Sequence, residues 1–275
     1  MSSQGTSKAV ILARGLGTRM RRPDANAGPL DPAQVQIAET GLKAMIPIGR
    51  PFLDYVLSGL ADAGYQEACL VVGPEHNVIR DYYTRQCIPK RLRVAFTVQE
   101  RPLGTADALA AAREFTAGQT FLVLNSDNYY PVDVCRALRL LGRPGLAAFE
   151  HESLILRGNM SAERIHHFAA VAIAPDGTLE RIIEKPDEQA LRALGSEIYV
   201  SMNCWSFDPA IFGACAAISP SPRGELELPD AVQYAIDKLG VRFRVLPFHD
   251  GVLDLSNRSD IRGVAAGLRG IEVRL

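Results

Sequence analysis

The 275-residue sequence contains no apolar run approaching the roughly 20 residues needed to cross a membrane. Its start, Met1-Ser2-Ser3-Gln4-Gly5, lacks the basic segment and apolar stretch of a secretory leader. Cysteine is sparse: the five at positions 69, 87, 135, 204 and 215 are scattered, odd in number and set mostly in apolar runs. No Cys-x-x-Cys pair or Cys/His metal spacing occurs, so they read as small core hydrophobes in a reducing compartment. The expectation is a cytoplasmic protein without a membrane partner. Neither sign of charge is in excess, with 30 Lys and Arg against 31 Asp and Glu for a net of −1. So balanced a chain has no electrostatic footprint for DNA or RNA, which removes a nucleic-acid polymer from the expected partners. A small anion remains open, because local clusters such as Arg14, Arg19, Arg21 and Arg22 need no global excess. Internal repeats are absent as well.

What the chain does have is 47% hydrophobic residues over a length that suits one α/β domain with a full sheet core. The expected organisation is a single domain over 1–275, with a first part at about 8–150, a second at about 151–256 and a helix at about 257–270. The organising stretch is Ala9-Val10-Ile11-Leu12-Ala13-Arg14-Gly15-Leu16-Gly17-Thr18-Arg19-Met20. An apolar β-type run opens there into a loop with two glycines and a basic residue. Bare backbone N–H groups can approach an anion where no Cβ intrudes, with a cation at the mouth. The spacing Gly-x-Gly-x-Arg differs from the dinucleotide fingerprint, because Met20 holds the place of the third glycine. It also lacks the Gly-Lys-Ser/Thr ending of a P-loop. An ordinary strand-to-helix turn has the same composition, so the weight of the motif comes from the residues downstream of it.

Residues 20–42 are polar, rich in Pro, Gly and Ala and without a sustained period, which predicts a long loop of the lid kind. A helix comes next, with Leu53, Val56, Leu57, Leu60, Ala61 and Gly64 in i, i+3, i+4, i+7 spacing. Strands at 68–72, 92–98 and 121–125 alternate with helices at 78–83 and 105–115. That order implies right-handed βαβ crossovers and a mostly parallel sheet. A helix at 131–141 leads to a strand at 146–150, then to a polar and basic stretch at 151–166. Runs at 168–174 and 179–183 flank Pro175-Asp176-Gly177-Thr178, a hairpin signal. The pattern thus turns antiparallel near 151–207, before helices near 208–217, 228–239 and 257–269. His166 and His167 are neighbours, and neighbours on a strand point to opposite faces, so they are not expected to share a metal ion.

The opening stretch resembles that of the sugar-1-phosphate nucleotidyltransferases, or NDP-sugar pyrophosphorylases, which read Leu-Ala-(Gly/Ala)-Gly-x-Gly-Thr-Arg-(Leu/Met). The match falls on Leu12, Ala13, Gly15, Gly17, Thr18, Arg19 and Met20, while Arg14 stands where that family has a small residue. The resemblance implies a Rossmann-like, doubly wound α/β fold with a mostly parallel mixed sheet and a small antiparallel sugar-binding subregion. It implies that Leu12, Ala13, Gly15, Gly17 and Thr18 line the nucleotide and that Arg19 holds the triphosphate. Lys43, before Ala44-Met45-Ile46-Pro47, resembles the family's Lys-x-(Leu/Met)-(Leu/Ile)-Pro run, which implies a lysine at the metal–triphosphate region. The 24 residues from Arg19 to Lys43 are a longer interval than the family uses.

Gln99 and Pro102-Leu103-Gly104-Thr105-Ala106 resemble the family's base-binding run, implying base contacts from Gln99, Gly104 and Thr105. A helix N-cap for Thr105 is the plainer alternative. Asn125-Ser126-Asp127-Asn128 resembles the (Gly/Ser)-Asp-Asn of the first metal carboxylate, and Gly251-Val252-Leu253-Asp254-Leu255 the segment of the second. Asp127 and Asp254 are thus the implied Mg²⁺ ligands, hard oxygen donors of which the first follows a parallel strand's carboxyl end. Ile183-Glu184-Lys185-Pro186 resembles the family's Glu-Lys-Pro, in which the lysine grips the sugar phosphate and the glutamate a sugar hydroxyl. The run Val200–Phe207 aligns with the sugar-site strand, usually Asn-x-Gly-x-Tyr, with Ser201 and Asn203 in place of Asn and Gly. Ala169 stands where a glycine often follows an aromatic. Glu225-Leu226-Glu227-Leu228-Pro229-Asp230 resembles a family helix entry, although Pro229 and Asp230 are also plain helix-start chemistry.

These likenesses imply an enzyme that joins an NTP to a sugar 1-phosphate, releasing pyrophosphate, with Mg²⁺ as cofactor. Arg19, Lys43 and Lys185 are its implied catalytic cations. The Gly-Leu-Gly-Thr-Arg-Met wording is most similar to uridylyl-transferring members, which implies UTP. Two other readings stand beside this one. The altered sugar strand suits a cytidylyltransferase for a non-sugar phosphate. Arg14 and the 20–42 stretch suit a catalytically silent regulatory homologue. Monomer and homo-oligomer are both compatible with the sequence.

Overall fold

The structure is a computed structural model that describes residues 5–165, 168–184, 186–195 and 197–275. The chain opens with β1 (Lys8–Leu12), α1 (Thr18–Arg21), α2 (Pro32–Thr40), two short strands β2 (Pro47–Ile48) and β3 (Arg50–Pro51), and α3 (Phe52–Asp62). There follow β4 (Glu67–Val72), α4 (Asn77–Asp81), β5 (Arg93–Val98), α5 (Thr105–Ala111), α6 (Arg113–Thr116) and β6 (Phe121–Asn125). Next come β7 (Asn128–Tyr129), α7 (Val132–Leu141), β8 (Gly145–Glu150), α8 (His151–Arg157) and α9 (Ala162–Ile165). The remaining elements are β9 (Ala169–Ile173), β10 (Leu179–Ile183), α10 (Glu188–Ala193), β11 (Tyr199–Phe207), α11 (Ala210–Ala217), α12 (Leu228–Leu239), β12 (Arg244–Phe248), β13 (Leu253–Asp254) and α13 (Asp260–Gly267).

The main sheet runs β10-β9-β11-β6-β1-β4-β5, with β8 branching from β11 and β12 pairing with β8. β1 pairs in parallel with β4 and β6, and β5 extends β4 in the same sense. β11 is antiparallel to β6 and β8, and β9–β10 form the antiparallel hairpin that the Pro175–Thr178 turn predicts. The fold is therefore the expected α/β architecture, a mostly parallel sheet carrying an antiparallel subregion. Ala9 and Ile11 face one core with α3, α7 and α13, while Val10 and Leu12 face another with α5, α11 and α12. Burial on both faces explains why β1 reads as a continuous apolar run rather than an alternating one.

The reading of 20–42 as loop is corrected by α2. Asp31 caps that helix by accepting from Gln34 N at 2.8 Å, the Gln34 side chain returns to Asp31 N, and Pro32 sits at the first turn. Only Ala38 of the helix is buried, so it has no apolar stripe from which a period could be read. Its stability rests on caps and tethers, including Arg21 Nη2 donating to Thr40 O at 2.8 Å. Arg258 Nε donates to Met20 O at 2.9 Å, which ties the stretch to the segment after β13. A second correction is β12, which the sequence reading omits. It lies parallel to β8 as an edge strand and contains Pro247, a residue that argues against a strand in sequence but is tolerated at an edge. The polar 151–166 stretch also gains structure, as α8 and α9. His166 and His167 lie outside the described residues.

Candidate active site

A cavity of about 410 Å³ opens at the carboxyl ends of the parallel strands, between the glycine turn after β1 and the turns after β5 and β6. This is where open α/β sheets bind ligands. Its wall takes residues 12–18 from the glycine turn and 41–44 from the far end of the inserted stretch. Gln99, Pro102, Gly104, Thr105 and Ala108 form a second side, and Asn125, Ser126 and Asp127 a third. The turns are stitched together by backbone hydrogen bonds, Ala13 N to Val71 O at 2.9 Å and Ser126 N to Leu12 O at 3.1 Å.

Gly17 has φ +59°, and a Cβ there would run into the Gly41 backbone. The glycine is thus required twice over, by conformation and by contact. That close approach brings the inserted stretch back onto the phosphate-type turn and delivers Lys43 into the cavity wall. Lys43 Nζ stands 2.7 Å from Asp127 Oδ2, so the longer interval between Arg19 and Lys43 still brings the lysine to the glycine turn. Arg19 differs. It is exposed on α1 and is not part of the cavity wall.

At the opposite end, Gln99 is buried and its Nε2 donates to Gly104 O at 3.1 Å and to Asp107 Oδ2 at 2.7 Å. Thr105 lines the cavity, but its hydroxyl accepts from Leu228 N at 2.8 Å and so serves the start of α12. The alternative N-cap role on its own helix is not observed, since Gly104 occupies that place.

Asp127 and Asp254 belong to one cluster. β13 pairs with β7, which aligns Asp254 with Asn128, next to Asp127. Asn128 Nδ2 donates to Asp254 Oδ1 at 2.9 Å, and Leu255 N donates to Asp127 O at 2.8 Å. Burial, and next the charge of Asp127, push the Asp254 carboxyl up to about 6, against the pull of Arg164. Arg164 reaches from α9 to ion-pair with Asp254 and with Asp260, while Asn159 holds the Asp254 backbone through both its amide atoms at 2.7 and 2.9 Å. Sequence reasoning missed Arg164 and Asn159. They lie in the polar 151–166 stretch without a motif, and only the pairing of β13 with β7 reveals their target.

Among the described residues, no group of three or more His, Cys, Asp or Glu side chains is arranged to hold a metal ion. Two hard carboxylates, one of them pushed up by burial and then by the charge of the other, nevertheless suit Mg²⁺. That ion takes one or two protein carboxylates and completes its shell with water and substrate phosphates. The expected sugar-phosphate residues are less gathered. Ser201 is buried and Asn203 half-buried on β11, Glu184 is exposed after β10, and none lines the cavity. Asn203 has φ +57° at an irregularity between Ser201 and Trp205, a left-handed position that asparagine tolerates better than most residues. Lys185 lies outside the described residues.

Residues 8–247 match the family described as nucleotidyl transferase. Among curated relatives, the chain is 27% identical over 230 residues to the bifunctional protein GlmU of Methanococcus vannielii, covering 83% of this chain and 47% of that protein. It is 29% identical to a glucose-1-phosphate thymidylyltransferase of Streptomyces griseus, covering 84% and 57% respectively. It is 24% identical to the UTP–glucose-1-phosphate uridylyltransferase AglF of Haloferax volcanii, covering 83% of each. The chain thus spans about half the length of the first two. A solved UDP-glucose pyrophosphorylase in complex with UDP-glucose superposes with a TM-score of 0.72 at 18% identity, covering 95% of this chain and 97% of that one. At that identity the likeness speaks to the fold.

Proposed function

The chain belongs to the nucleotidyl transferase family of sugar-1-phosphate enzymes, and from that premise we propose that it transfers a nucleotidyl group from an NTP to a sugar 1-phosphate. The observation that carries this reading is the convergence of the glycine turn, Lys43 and Asp127 on one cavity at the carboxyl ends of β1 and β6. An oxygen of the sugar phosphate attacks the α-phosphorus in line, the bond to the β-phosphate oxygen breaks, and pyrophosphate departs with the electron pair. No covalent enzyme intermediate is needed, so catalysis consists of positioning and of meeting charge as it moves onto the leaving group.

The residues divide that work. The N–H groups of the turn at Gly15 and Gly17 cradle the triphosphate, and Lys43 supplies a compact positive charge beside it. Arg19, exposed on the first turn of α1, is assigned to the outer phosphates, which requires its flexible side chain to swing toward the cavity mouth. Gln99 and Gly104 take the base. Lys185 and Glu184 are assigned to the sugar phosphate, with Ser201 and Asn203 on the adjoining strand. Asp127, with Asp254 beside it, would hold Mg²⁺. When bound, that ion supplies a charge clamp and a template for the two phosphates. Lys43 and Arg164 offset the charge of the two carboxylates. The nucleotide we assign is UTP, on the Gly-Leu-Gly-Thr-Arg-Met wording of residues 15–20.

The test is pyrophosphate release by the purified protein over a panel of NTPs and sugar 1-phosphates, with and without Mg²⁺. Release that requires both substrates and the metal supports the proposal. Nucleotide binding with no release across the panel would instead support a silent homologue.

A further inference from the structure

Position 14 is where this chain departs from its family within the most regular part of the site, and the structure gives the departure a role. The Arg14 side chain is 8% exposed, yet it forms part of the cavity wall. Nε donates to Gln99 O at 3.1 Å, and Nη1 lies 2.7 Å from Glu75 Oε1. Room behind the guanidinium comes from Gly73, where a Cβ would lie 2.7 Å from both Cζ and Nε of Arg14. The group is therefore clamped between the Gln99 main chain, Glu75 and the Gly73 backbone, its charge offset by the carboxylate. We infer that Arg14 is a specificity-determining residue whose bulk sizes the base end of the cavity for a pyrimidine and shuts out a purine. This rests on the base-binding role proposed above for Gln99 and Gly104.

Hydrogen bonding at that end does not sort the bases by itself. Gln99 spends its amide hydrogens on Gly104 O and Asp107 Oδ2, which leaves its oxygen as an acceptor. Its main-chain oxygen is taken by Arg14. Among the described residues, the Gly104 N–H has no acceptor within the chain, which leaves it as a donor. One acceptor beside one donor fits an edge of uracil, cytosine, guanine or adenine after a small slide, because each base carries both kinds of group. Discrimination must then come from the shape of the wall, and a pinned arginine in place of a small residue removes the space a second ring would need. A wall that cannot relax rejects a larger ligand more strongly than a mobile one, and burial of Arg14, its hydrogen bond to Gln99 O and its ion pair with Glu75 restrain it.

The experiment compares the wild type with Arg14→Ala and Arg14→Met. It measures dissociation constants for UTP, CTP, GTP and ATP by titration calorimetry and pyrophosphate release with the same nucleotides. The wild type should bind its preferred pyrimidine nucleotide at least about tenfold more tightly than either purine nucleotide. Arg14→Ala should cut that ratio about tenfold through tighter purine binding, while Arg14→Met, which keeps the bulk without the charge, should hold it within about threefold. A purine preference in the wild type, an unchanged ratio in Arg14→Ala, or equal losses in both variants would each overturn the inference. Selective binding without pyrophosphate release would remove the enzymatic reading and leave this one standing. Failure of every nucleotide to bind would remove both.

Discussion

Thr105 separates likeness from geometry, and Thr105→Val is the perturbation that does so. The resemblance assigns this threonine to the nucleotide, but its Oγ1 accepts the backbone N–H of Leu228 at 2.8 Å. Leu228 is 1% exposed, opens α12, and receives no side-chain cap from Glu227. Valine matches the shape of threonine and removes the acceptor, which leaves a buried N–H unpaired. Such a loss costs about 1–3 kcal/mol, because the group gives up water without a replacement partner. Thr105→Ser keeps the acceptor and forfeits one methyl group, worth about 0.8 kcal/mol. Urea unfolding followed by circular dichroism should place the valine variant below the serine variant in midpoint at equal slope. The KM for the nucleotide should stay within about twofold of wild type in both, since the hydrogen bond this hydroxyl makes goes to the start of α12 and not into the cavity. A valine variant as stable as wild type whose KM rises tenfold would refute this reasoning.

Two further outcomes concern the backbone and titration. Asn203→Ala should cost up to about 1 kcal/mol in the same unfolding assay, because at φ +57° asparagine is eased by local hydrogen bonding from its side chain and alanine is not. Asn203→Gly should be tolerated, and equal losses in the two would show that the conformation is not the cause. Burial holds the His76 imidazole below its usual range, and its Nδ1 accepts from Gly73 N at 3.2 Å, a bond that protonation destroys. A depressed histidine pKa means that its stabilising effect is present above the unfolded value near 6.5 and is lost as pH falls through the folded value. Melting temperature should therefore drop between about pH 7.5 and 5, and His76→Asn should flatten part of that drop. An unchanged profile in the variant would assign the pH dependence to other groups.

The parallel core and the hairpin were legible because their signals are local. β1, β4 and β6 are apolar runs of strand length, and Pro175-Asp176-Gly177-Thr178 is a turn by its own chemistry. α2 was harder to read, since it buries only Ala38, yet Asp31-Pro32 followed by Gln34 is a capping signal that composition had masked. β12 was hidden by Pro247. In the cavity, Lys43, Asp127, Gln99 and the glycine turn come from motifs that fold beside one another. Arg164 and Asn159 do not, because their partner Asp254 lies about a hundred residues away and the contact depends on how β13 meets β7.

The account stands on the cleft around Asp127, where that carboxylate, Lys43 and the glycine turn meet. The most direct measurement is pyrophosphate release by Asp127→Asn against wild type at saturating NTP, sugar 1-phosphate and Mg²⁺, with circular dichroism verifying the fold of the variant. Asparagine preserves the shape and removes the charge. The predicted result is a loss of at least about a hundredfold in kcat with the fold intact, the scale seen when one charge-stabilising group is taken from a transition state. A folded Asp127→Asn protein that turns over at the wild-type rate would contradict it.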